Sequence, residues 1–468
     1  MNSQRQHFLK YLLLGMTLAL VFAACEPMEG SFEAIKEKAG GGDDLPELTG
    51  TVTITPESGH GPWIRGILKA EISESNASGP FSYQWKRGGA NISGAKGETH
   101  EVGNINGVQN ITVEVKCGGY KGYITTAVPY QVPNRIGIYN QTQLQGISSA
   151  LGREYILAND ITLDDDSFTP IGSFTGKFDG NAKTINMGSQ TYEDFSNQQI
   201  GLFSNISGNT AEVKNLRLTG YIRVIDTAYN SIRYIGAVAG ESTGTIRNVS
   251  ANVRISVSRQ LTSPNELYIG GIVGAMQGSS LTWNCYSTNS IITDASNNGR
   301  LYGGGISGYG NSSSAKIEFC WSNVEIGSST YSTYRAGGII GLVYSLNVNR
   351  SAALQGQIWT SDIDWTGRIS GNEPGTALTN NYANSVMKLN NTTPTGGAAT
   401  DKNGADISLA ETQDTDGKWW KNTAGWSGAW GTTVADETHP WVWGTGSNRP
   451  AGMSRPDNRP VLWFEVTQ

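Results

Sequence analysis

A Gly-rich phrase recurs five times between residues 200 and 341 at an almost constant spacing. The copies are IGLFSN (200–205), IGAVAG (235–240), IGGIVG (269–274), GGGISG (303–308) and AGGIIG (336–341). Their first matched Gly residues are 201, 236, 270, 304 and 337, which gives steps of 35, 34, 34 and 33. A fixed period of this length predicts a solenoid or another repeat array, in which each unit packs only against its neighbours.

A second phrase follows each of the first four copies. These phrases are VKNLRL (213–218), IRNVSA (246–251), TWNCYS (282–287) and IEFCWS (317–322). Parallel coils stacked about 4.8 Å apart would satisfy one another's backbone groups. We then expect two inward columns of side chains: Val213, Ile246, Thr282 and Ile317, and Leu216, Val249, Cys285 and Cys320. The Gly pairs and β-branched runs oppose helical repeats, whereas a β-propeller stays open as an alternative.

The composition agrees with a chain of strands and turns. Charged residues make up 16% of the 468 residues, against about 25% in ordinary globular domains, and Gly numbers 60. The net charge of −6 and the lack of a basic stripe argue against nucleic-acid binding. Four Cys, four His and no C-x-x-C motif predict neither a metal site nor a cofactor.

The N-terminus has the features of an export signal. Arg5 and Lys10 precede the apolar run YLLLGMTLALVFAA (11–24), which is too short for a confident membrane span. The small residues before Cys25 make this segment resemble a bacterial lipoprotein signal, although Phe22 stands where Leu is usual. The resemblance implies a signal peptide over 1–24, a lipid on Cys25 and a flexible tether over 25–48. Ordinary secretion is the alternative.

Short alternating strands fill residues 49–133, with Gly, Asn and Ser turns between them. The stretch YQWKRGGANISGA (83–95) resembles the central strand and turn of bacterial immunoglobulin-like surface domains. That resemblance implies a β-sandwich with Trp85 buried in its core.

The next region begins with the helix candidate NQTQLQGISSALG (140–152) and continues with FTGKFDGNAKTI (174–185). This pair resembles the opening segment of right-handed parallel β-helix proteins, and the repeats resemble the GLUG-type repeats of bacterial surface proteins. Phe319 departs from the Asn that is usual in the second phrase. The resemblance implies a parallel β-helix over 134–416, with repeats at about 200–354.

The last residues, 417–468, hold seven of the thirteen Trp residues. We expect a Trp-rich C-terminal cap, because a solenoid end exposes unpaired strand edges that invite aggregation. A carbohydrate-binding platform of Trp side chains is the alternative. The predicted fold class is therefore all-β: an immunoglobulin-like β-sandwich, then a right-handed parallel β-helix (solenoid) with this cap.

Few residues in the sequence have the pattern expected of catalytic or metal-binding groups. The acids of LDDDS (163–167) and DTDGKW (414–419) lack the basic partner or the downstream Glu of a lyase or calcium site, and are expected to form turns. No hydrolase, zinc-protease or phosphate-binding motif occurs. Cys285 and Cys320 are expected to stack as free thiols, with a disulfide as the alternative. The sequence thus predicts no catalytic residue and no metal site.

Variable segments follow the third strand of each repeat at 258–267, 294–301 and 328–336. In a solenoid such segments line up along one edge, where binding loops are found. Their cations and aromatics suit anionic or sugar ligands, and the candidate ligand-binding residues are Arg259, Arg300, Tyr331, Tyr334 and Arg335.

These features together predict a monomeric, exported protein held at the bacterial outer membrane or cell surface by the lipid on Cys25, or else secreted. The expected role is display or adhesion without catalysis, by binding a host-matrix protein or a surface glycan. The alternative is a polysaccharide-degrading lyase or hydrolase on the same scaffold, and a purely structural spacer is a third possibility. Acids with Arg or Lys on adjacent coils of one face would indicate the enzyme.

Overall fold

The structure is a computed structural model that describes residues 45–193, 199–226, 232–259, 266–293, 300–329, 334–372, 378–413, 417–430, 436–444 and 459–466. Its contacts divide the chain into two compact units. The first comprises residues up to 55, 68–100 and 109–131, and the second comprises 56–67, 101–108 and 132–468. Within the described residues, no helix has the length and apolar character needed to cross a membrane.

The first unit consists of short strands in two sheets, one of order β1-β2-β5 and one of order β4-β3-β6-β7 with β8 beside β6. The strands are β1 Thr51–Pro56, β2 Ile67–Ser73, β3 Phe81–Arg87, β4 Ala90–Asn91, β5 Thr99–Glu101, β6 Gln109–Cys117, β7 Ile124–Thr125 and β8 Tyr130–Val132. In the second sheet β3 pairs antiparallel with β6. Trp85 is fully buried, as predicted, and its indole Nε1 donates to the Gly97 carbonyl at 2.9 Å.

The second unit is a parallel β-solenoid. Its strands are β9 Arg135–Ile138, β10 Glu154–Leu157, β11 Ile161–Thr162, β12 Ile171–Phe174, β13 Lys177–Glu193, β14 Gln199–Ile200, β15 Phe203–Ile206, β16 Glu212–Asp226, β17 Arg233–Gly236, β18 Ala239–Ser242, β19 Thr245–Arg259, β20 Glu266–Gly270, β21 Val273–Met276, β22 Leu281–Thr293, β23 Arg300–Gly304, β24 Ser307–Glu318, β25 Trp321–Ile326, β26 Arg335–Gly337, β27 Ile340–Asn349, β28 Ala352–Ala353, β29 Gln357–Ile358, β30 Leu378–Thr379, β31 Tyr382–Asn384, β32 Lys388–Leu389 and β33 Ala405–Ile407. Each strand pairs in parallel with its counterpart on the next coil, for example β16 with β19 and β19 with β22. This pairing confirms the predicted solenoid and excludes the propeller.

The predicted helix is present as α1 Gln141–Gln145, followed by a 3-10 turn at Gly146–Ser149. The Asn140 side chain caps α1 by accepting from the Gln143 N–H. Leu144 and Ile147 are both fully buried in the solenoid core. A short amphipathic helix therefore closes over the apolar interior at the start of the solenoid.

The repeated Gly residues are required by close packing between backbone segments. A Cβ at Gly304 would overlap the carbonyl oxygen of Ser307, and one at Gly270 would overlap that of Val273. No rotamer change can relieve a clash with backbone, so the fold admits only Gly at these places.

The repeated Asn of the second phrase lies at a corner where the backbone is left-handed. Asn215, Asn248 and Asn284 have φ values of 54°, 54° and 52°. Asn tolerates this conformation better than most residues because its short polar side chain can hydrogen-bond locally. Phe319 keeps the same φ, at 53°, although it is not an Asn. Its ring packs edge-on against Trp426 at 6.0 Å, which is a contact that a smaller residue would not make.

The two predicted inward columns are confirmed. Val213 pairs with Ile246, which pairs with Thr282 and then Ile317, and all four are fully buried. The second column places Leu216, Val249, Cys285 and Cys320 in the same core. Both cysteines are free thiols, as expected, and burial followed by the neighbouring Cys285 raises the pKa of the Cys320 thiol.

The Trp-rich C-terminal segment lies along the wall of the solenoid. It contains a π-helical turn at Trp419–Thr423, 3-10 turns at Ser427–Ala429 and Trp463–Glu465, and the hairpin of β34 Trp441–Gly444 with β35 Arg459–Leu462. The short helix α2 Leu409–Thr412 comes just before this segment. Trp441 Nε1 donates to Asn284 Oδ1 at 3.0 Å, and Trp426 Nε1 donates to the Arg350 carbonyl at 2.9 Å. Trp420, Trp426 and Trp441 are fully buried, which favours a packing role for them over a sugar platform.

Candidate active site

Two faces of the solenoid bring acids and cations together on adjacent coils. On the first face, Asp179 lies in register with Lys214, which lies in register with Arg247. The Glu437 carboxylate, from the C-terminal segment, accepts from Lys214 Nζ at 2.5 Å and also from Arg247. Arg247 Nε binds Glu212 at 2.6 Å as well. Because each cation is neutralised by a hydrogen-bonded acid, this cluster holds the C-terminal segment in place and leaves no free base for catalysis.

The second face carries a ladder of stacked tyrosines, which we call the tyrosine ladder: Tyr234, Tyr268, Tyr302 and Tyr309. The first three lie in register on β17, β20 and β23. The Tyr268 ring is stacked on Tyr302 at 4.7 Å and on Tyr234 at 5.5 Å. Tyr309 lies 4.7 Å from Tyr268.

Strand alternation puts this ladder on the outside of the solenoid. Ile235 and Ile269, which follow Tyr234 and Tyr268, are buried in the main core. The tyrosines form a separate cluster with Leu342, in which Tyr268 is only 3% exposed. Burial first, followed by nearby carboxylates, raises the pKa of Tyr234 to about 12. Burial and Glu266 raise that of Tyr302 to about 12, although nearby arginines oppose the rise. Neutral phenols therefore line this face at physiological pH.

Glu266 lies at one side of the tyrosine ladder. Its carboxylate accepts from the Tyr268 hydroxyl at 2.7 Å and from the Tyr302 hydroxyl at 3.3 Å. The Arg300 guanidinium is 3.5 Å away. Three donors thus aim at one half-buried carboxylate and fix its orientation.

Glu241 stands on β18 near the other end of the tyrosine ladder. The Gln199 side-chain amide donates to Glu241 Oε2 at 3.0 Å. Burial raises the pKa of the Glu241 carboxyl, and the Gln199 hydrogen bond only partly offsets this. The charges of Glu241 and Glu266 both raise the pKa of Tyr234, so both carboxyl groups lie near the Tyr234 hydroxyl.

A partly exposed rim of cations and aromatics borders the tyrosine ladder. The Arg335 guanidinium lies 4.2 Å from the Trp365 ring and 4.8 Å from the Tyr334 ring. It also pairs with Asp362 at 3.4 Å. Arg300 is half exposed and 5.9 Å from the Tyr334 ring.

Three of the five predicted ligand-binding residues therefore come together: Arg300, Tyr334 and Arg335. Tyr331 and the side chain of Arg259 lie outside the described residues, as do Cys25 and residues 414–416. Sequence reasoning missed the tyrosine ladder and its glutamates. The signal was visible, since Tyr234, Tyr268 and Tyr302 occupy the same place before the Gly frame in successive repeats.

The acids of LDDDS accept hydrogen bonds from backbone N–H groups, in line with the predicted turn. Asp165 Oδ1 accepts from the Ser189 N–H at 2.7 Å, and Asp166 Oδ1 accepts from the Thr191 N–H at 2.6 Å. Within the described ranges, no group of three or more His, Cys, Asp or Glu side chains could hold a metal ion.

No family model and no curated protein matches the chain. A solved Bacteroides ovatus structure, named as a proposed immunoglobulin A1 protease, aligns over 70% of this chain and 92% of its own, at 18% identity and a TM-score of 0.44. A second structure, named IgA1 protease, aligns over 70% of this chain at 13% identity and a TM-score of 0.36. This chain covers 28% of the length of that second structure.

These comparisons contradict the prediction of a display or adhesion protein without catalysis, because both structures bear the names of enzymes. The non-enzyme prediction is therefore withdrawn, and the enzyme alternative agrees better with the comparisons. At these identities and TM-scores the likeness transfers no activity and no residue role to this chain.

Proposed function

We propose that this protein is a polysaccharide-degrading hydrolase whose active site is the outer face around Glu241 and Glu266. One observation carries the proposal. Two carboxyl groups in contrasting environments flank an aromatic surface, one with a pKa raised by burial and one held by phenol and guanidinium donors. Glycoside hydrolysis uses such a pair, with one carboxylic acid protonated and the other ionised.

In the proposed reaction the protonated Glu241 gives its proton to the glycosidic oxygen as the bond to the anomeric carbon breaks. Glu266 takes a proton from the attacking water, whose hydroxide forms the new bond to that carbon. Tyr268 and Tyr302 hold Glu266 in place by donating to it. Tyr234 and Tyr309 are only partly buried, so their rings offer apolar surface on which a sugar ring can pack, whereas Tyr268 and Tyr302 are buried beneath them. The rim of Arg300, Tyr334 and Arg335 extends that surface.

The proposal also includes export. The apolar run before Cys25 supports a lipid anchor at the bacterial outer membrane, with secretion as the alternative. The first unit, with its two sheets and buried Trp85, would be an immunoglobulin-like spacer domain. The repeats would be of the GLUG type in a right-handed coil.

The test is release of reducing ends from a panel of plant, fungal and host polysaccharides by the wild type and by Glu241→Gln and Glu266→Gln. We expect activity on at least one polymer, and a loss of about 100-fold or more in kcat in each variant. Glu325→Gln is the matched control, because Glu325 is an exposed acid on β25 with buried neighbours. It should retain full activity.

Incubation with immunoglobulin A1 is run in parallel. Cleavage of that protein, together with no reducing-end release from any polymer, would overturn the glycan proposal. Equal activity of Glu241→Gln and the wild type would instead remove Glu241 from the mechanism. Arg300→Ser combined with Tyr334→Ser should raise KM more than it lowers kcat, because these residues would contact the substrate away from the bond that breaks.

A further inference from the structure

A polar groove with a volume of about 330 Å³ lies on another outer face of the solenoid, where β24, β27 and β30 stack. The side chains that line it are Lys316, Glu318, Asn347, Asn349 and Thr379. Lys316 pairs in register with Asn347. Glu318 pairs with Asn349, which pairs in turn with Thr379. Three successive coils therefore contribute neighbouring polar groups to one surface.

Strand alternation fixes the outward direction of these groups. Ile317, Val348 and Leu378 lie between or beside them in sequence and are buried in the core. Because successive side chains on a strand point to opposite faces, the polar residues must point away from that core. The groove is thus built on rigid, paired strands.

Hydrogen bonds hold three of the side chains that line the groove. Glu318 Oε1 accepts from Asn349 Nδ2 at 3.0 Å and from Arg350 NH1 at 2.8 Å. Asn347 Nδ2 donates to the Ser313 carbonyl at 2.9 Å. These bonds hold the side chains of Glu318, Asn349 and Asn347 in defined positions.

Two buried polar atoms at this place have no hydrogen-bond partner among the described residues. One is Asn349 Oδ1, an acceptor, and the other is Nε1 of Trp283, a donor that lies in register beside Glu318. Buried polar atoms are normally satisfied, so they call for an explanation. Hydroxyl groups, which can both donate and accept, would satisfy such a pair.

We propose that this groove is a second saccharide-binding site, which takes a neutral sugar unit of a glycan through its hydroxyls. Its volume is at the lower end of the range for small-molecule sites, which fits a short glycan segment. Lys316 brings ammonium donors to the groove, and the Glu318 carboxylate, which pairs with Arg350, disfavours an anionic ligand placed directly against it. Amide, hydroxyl and carboxylate groups side by side match the mixed donors and acceptors of a sugar. This inference is independent of hydrolysis at the tyrosine ladder.

The test is calorimetric titration of the full chain with cellotetraose, maltotetraose, mannotetraose and chitotetraose. The chain carries Glu266→Gln so that no ligand is hydrolysed during the titration. We expect at least one of them to bind. Lys316→Met with Thr379→Val should weaken that binding about tenfold or more, since it removes polar groups while keeping their shape. Lys388→Met, an exposed Lys on β32, is the matched control and should bind as the parent does.

The inference is overturned if none of the four sugars binds, or if the groove variant binds as tightly as the Lys388→Met control. Thr379→Val alone replaces the double variant if the latter loses its β-type circular dichroism. Its weakening should exceed that of Lys388→Met, and equal affinities would again overturn the inference. Groove binding without any polymer hydrolysis in the wild type would reject the proposed function while leaving this site intact.

Discussion

The Lys214 ammonium and the Glu437 carboxylate form a hydrogen-bonded ion pair at 2.5 Å although they are 223 residues apart in sequence. Lys214 belongs to a strand of the solenoid wall, and Glu437 belongs to the Trp-rich C-terminal segment. The Lys214 side chain is only 14% exposed, so solvent screens the pair less than it would a surface pair. This contact and its neighbour to Arg247 fasten the C-terminal segment to the wall.

Glu437→Gln should loosen the C-terminal segment at neutral pH. Burial alone would raise the Glu437 pKa, but hydrogen bonds from Lys214 and Arg247 lower it to about 2. The stabilisation is therefore present above the ordinary value of 4.5 and is lost as the pH falls towards 2. We expect a loss of about 1 kcal/mol at pH 7, since the carboxylate is 38% exposed, and none near pH 2. Thermal melts and limited proteolysis at both pH values measure this, and equal effects at the two values would contradict it.

Glu241→Gln should stabilise the folded protein at pH 7 while abolishing activity. Burial raises the pKa of Glu241, so the folded state prefers the protonated form. The stabilisation of the folded state by protonated Glu241 is fully present below the ordinary pKa of a glutamate. It is lost as the pH rises through the raised pKa of the folded state. The variant should therefore melt at a higher temperature than the wild type at pH 7 and at the same temperature near pH 4. A lower melting temperature at pH 7 would refute the environment assigned to Glu241.

Cys285 and Cys320 should be unreactive thiols in the folded state. Both are fully buried, and the raised pKa of Cys320 disfavours its thiolate. A fragment of residues 49–468 should show three reactive thiols when unfolded without reductant, the third being Cys117. A single reactive thiol would mean that Cys285 and Cys320 form a disulfide.

Gly304→Ala should prevent folding or destabilise the solenoid by at least about 3 kcal/mol, because the new Cβ would overlap the Ser307 carbonyl oxygen. Gly356→Ala is the matched control, since nothing lies within 4 Å of its Cβ position. That control should change stability by less than about 0.5 kcal/mol. Chemical denaturation of both variants decides the matter, and similar midpoints would rule out the packing role given to the Gly frame.

Cys25→Ala should abolish incorporation of labelled palmitate, since the apolar run 11–24 ends at small residues just before this Cys. Equal labelling of wild type and variant would disprove the lipid site. No labelling of either would indicate that Phe22 has converted the signal into one for ordinary secretion.

The candidate site was only partly predictable. The variable segments indicated Arg300, Tyr334 and Arg335, which do lie together at the rim. Glu241 and Glu266 looked ordinary in sequence because a carboxyl group's environment depends on contacts with other coils. Gln199 and Tyr302, which bind them, are 42 and 36 residues away.

The sequence by itself determined the solenoid, because the 34-residue period, the Gly frame and the inward apolar columns are local and repeat in register. The inward column from Val213 to Ile317 followed from the alignment of the second phrase in successive repeats. Only the tertiary structure decided where the C-terminal tryptophans pack and which charges meet, as in the pair of Lys214 with Glu437. Such contacts join segments more than 200 residues apart. They are set by the geometry of the whole wall, and no local pattern or period encodes that geometry.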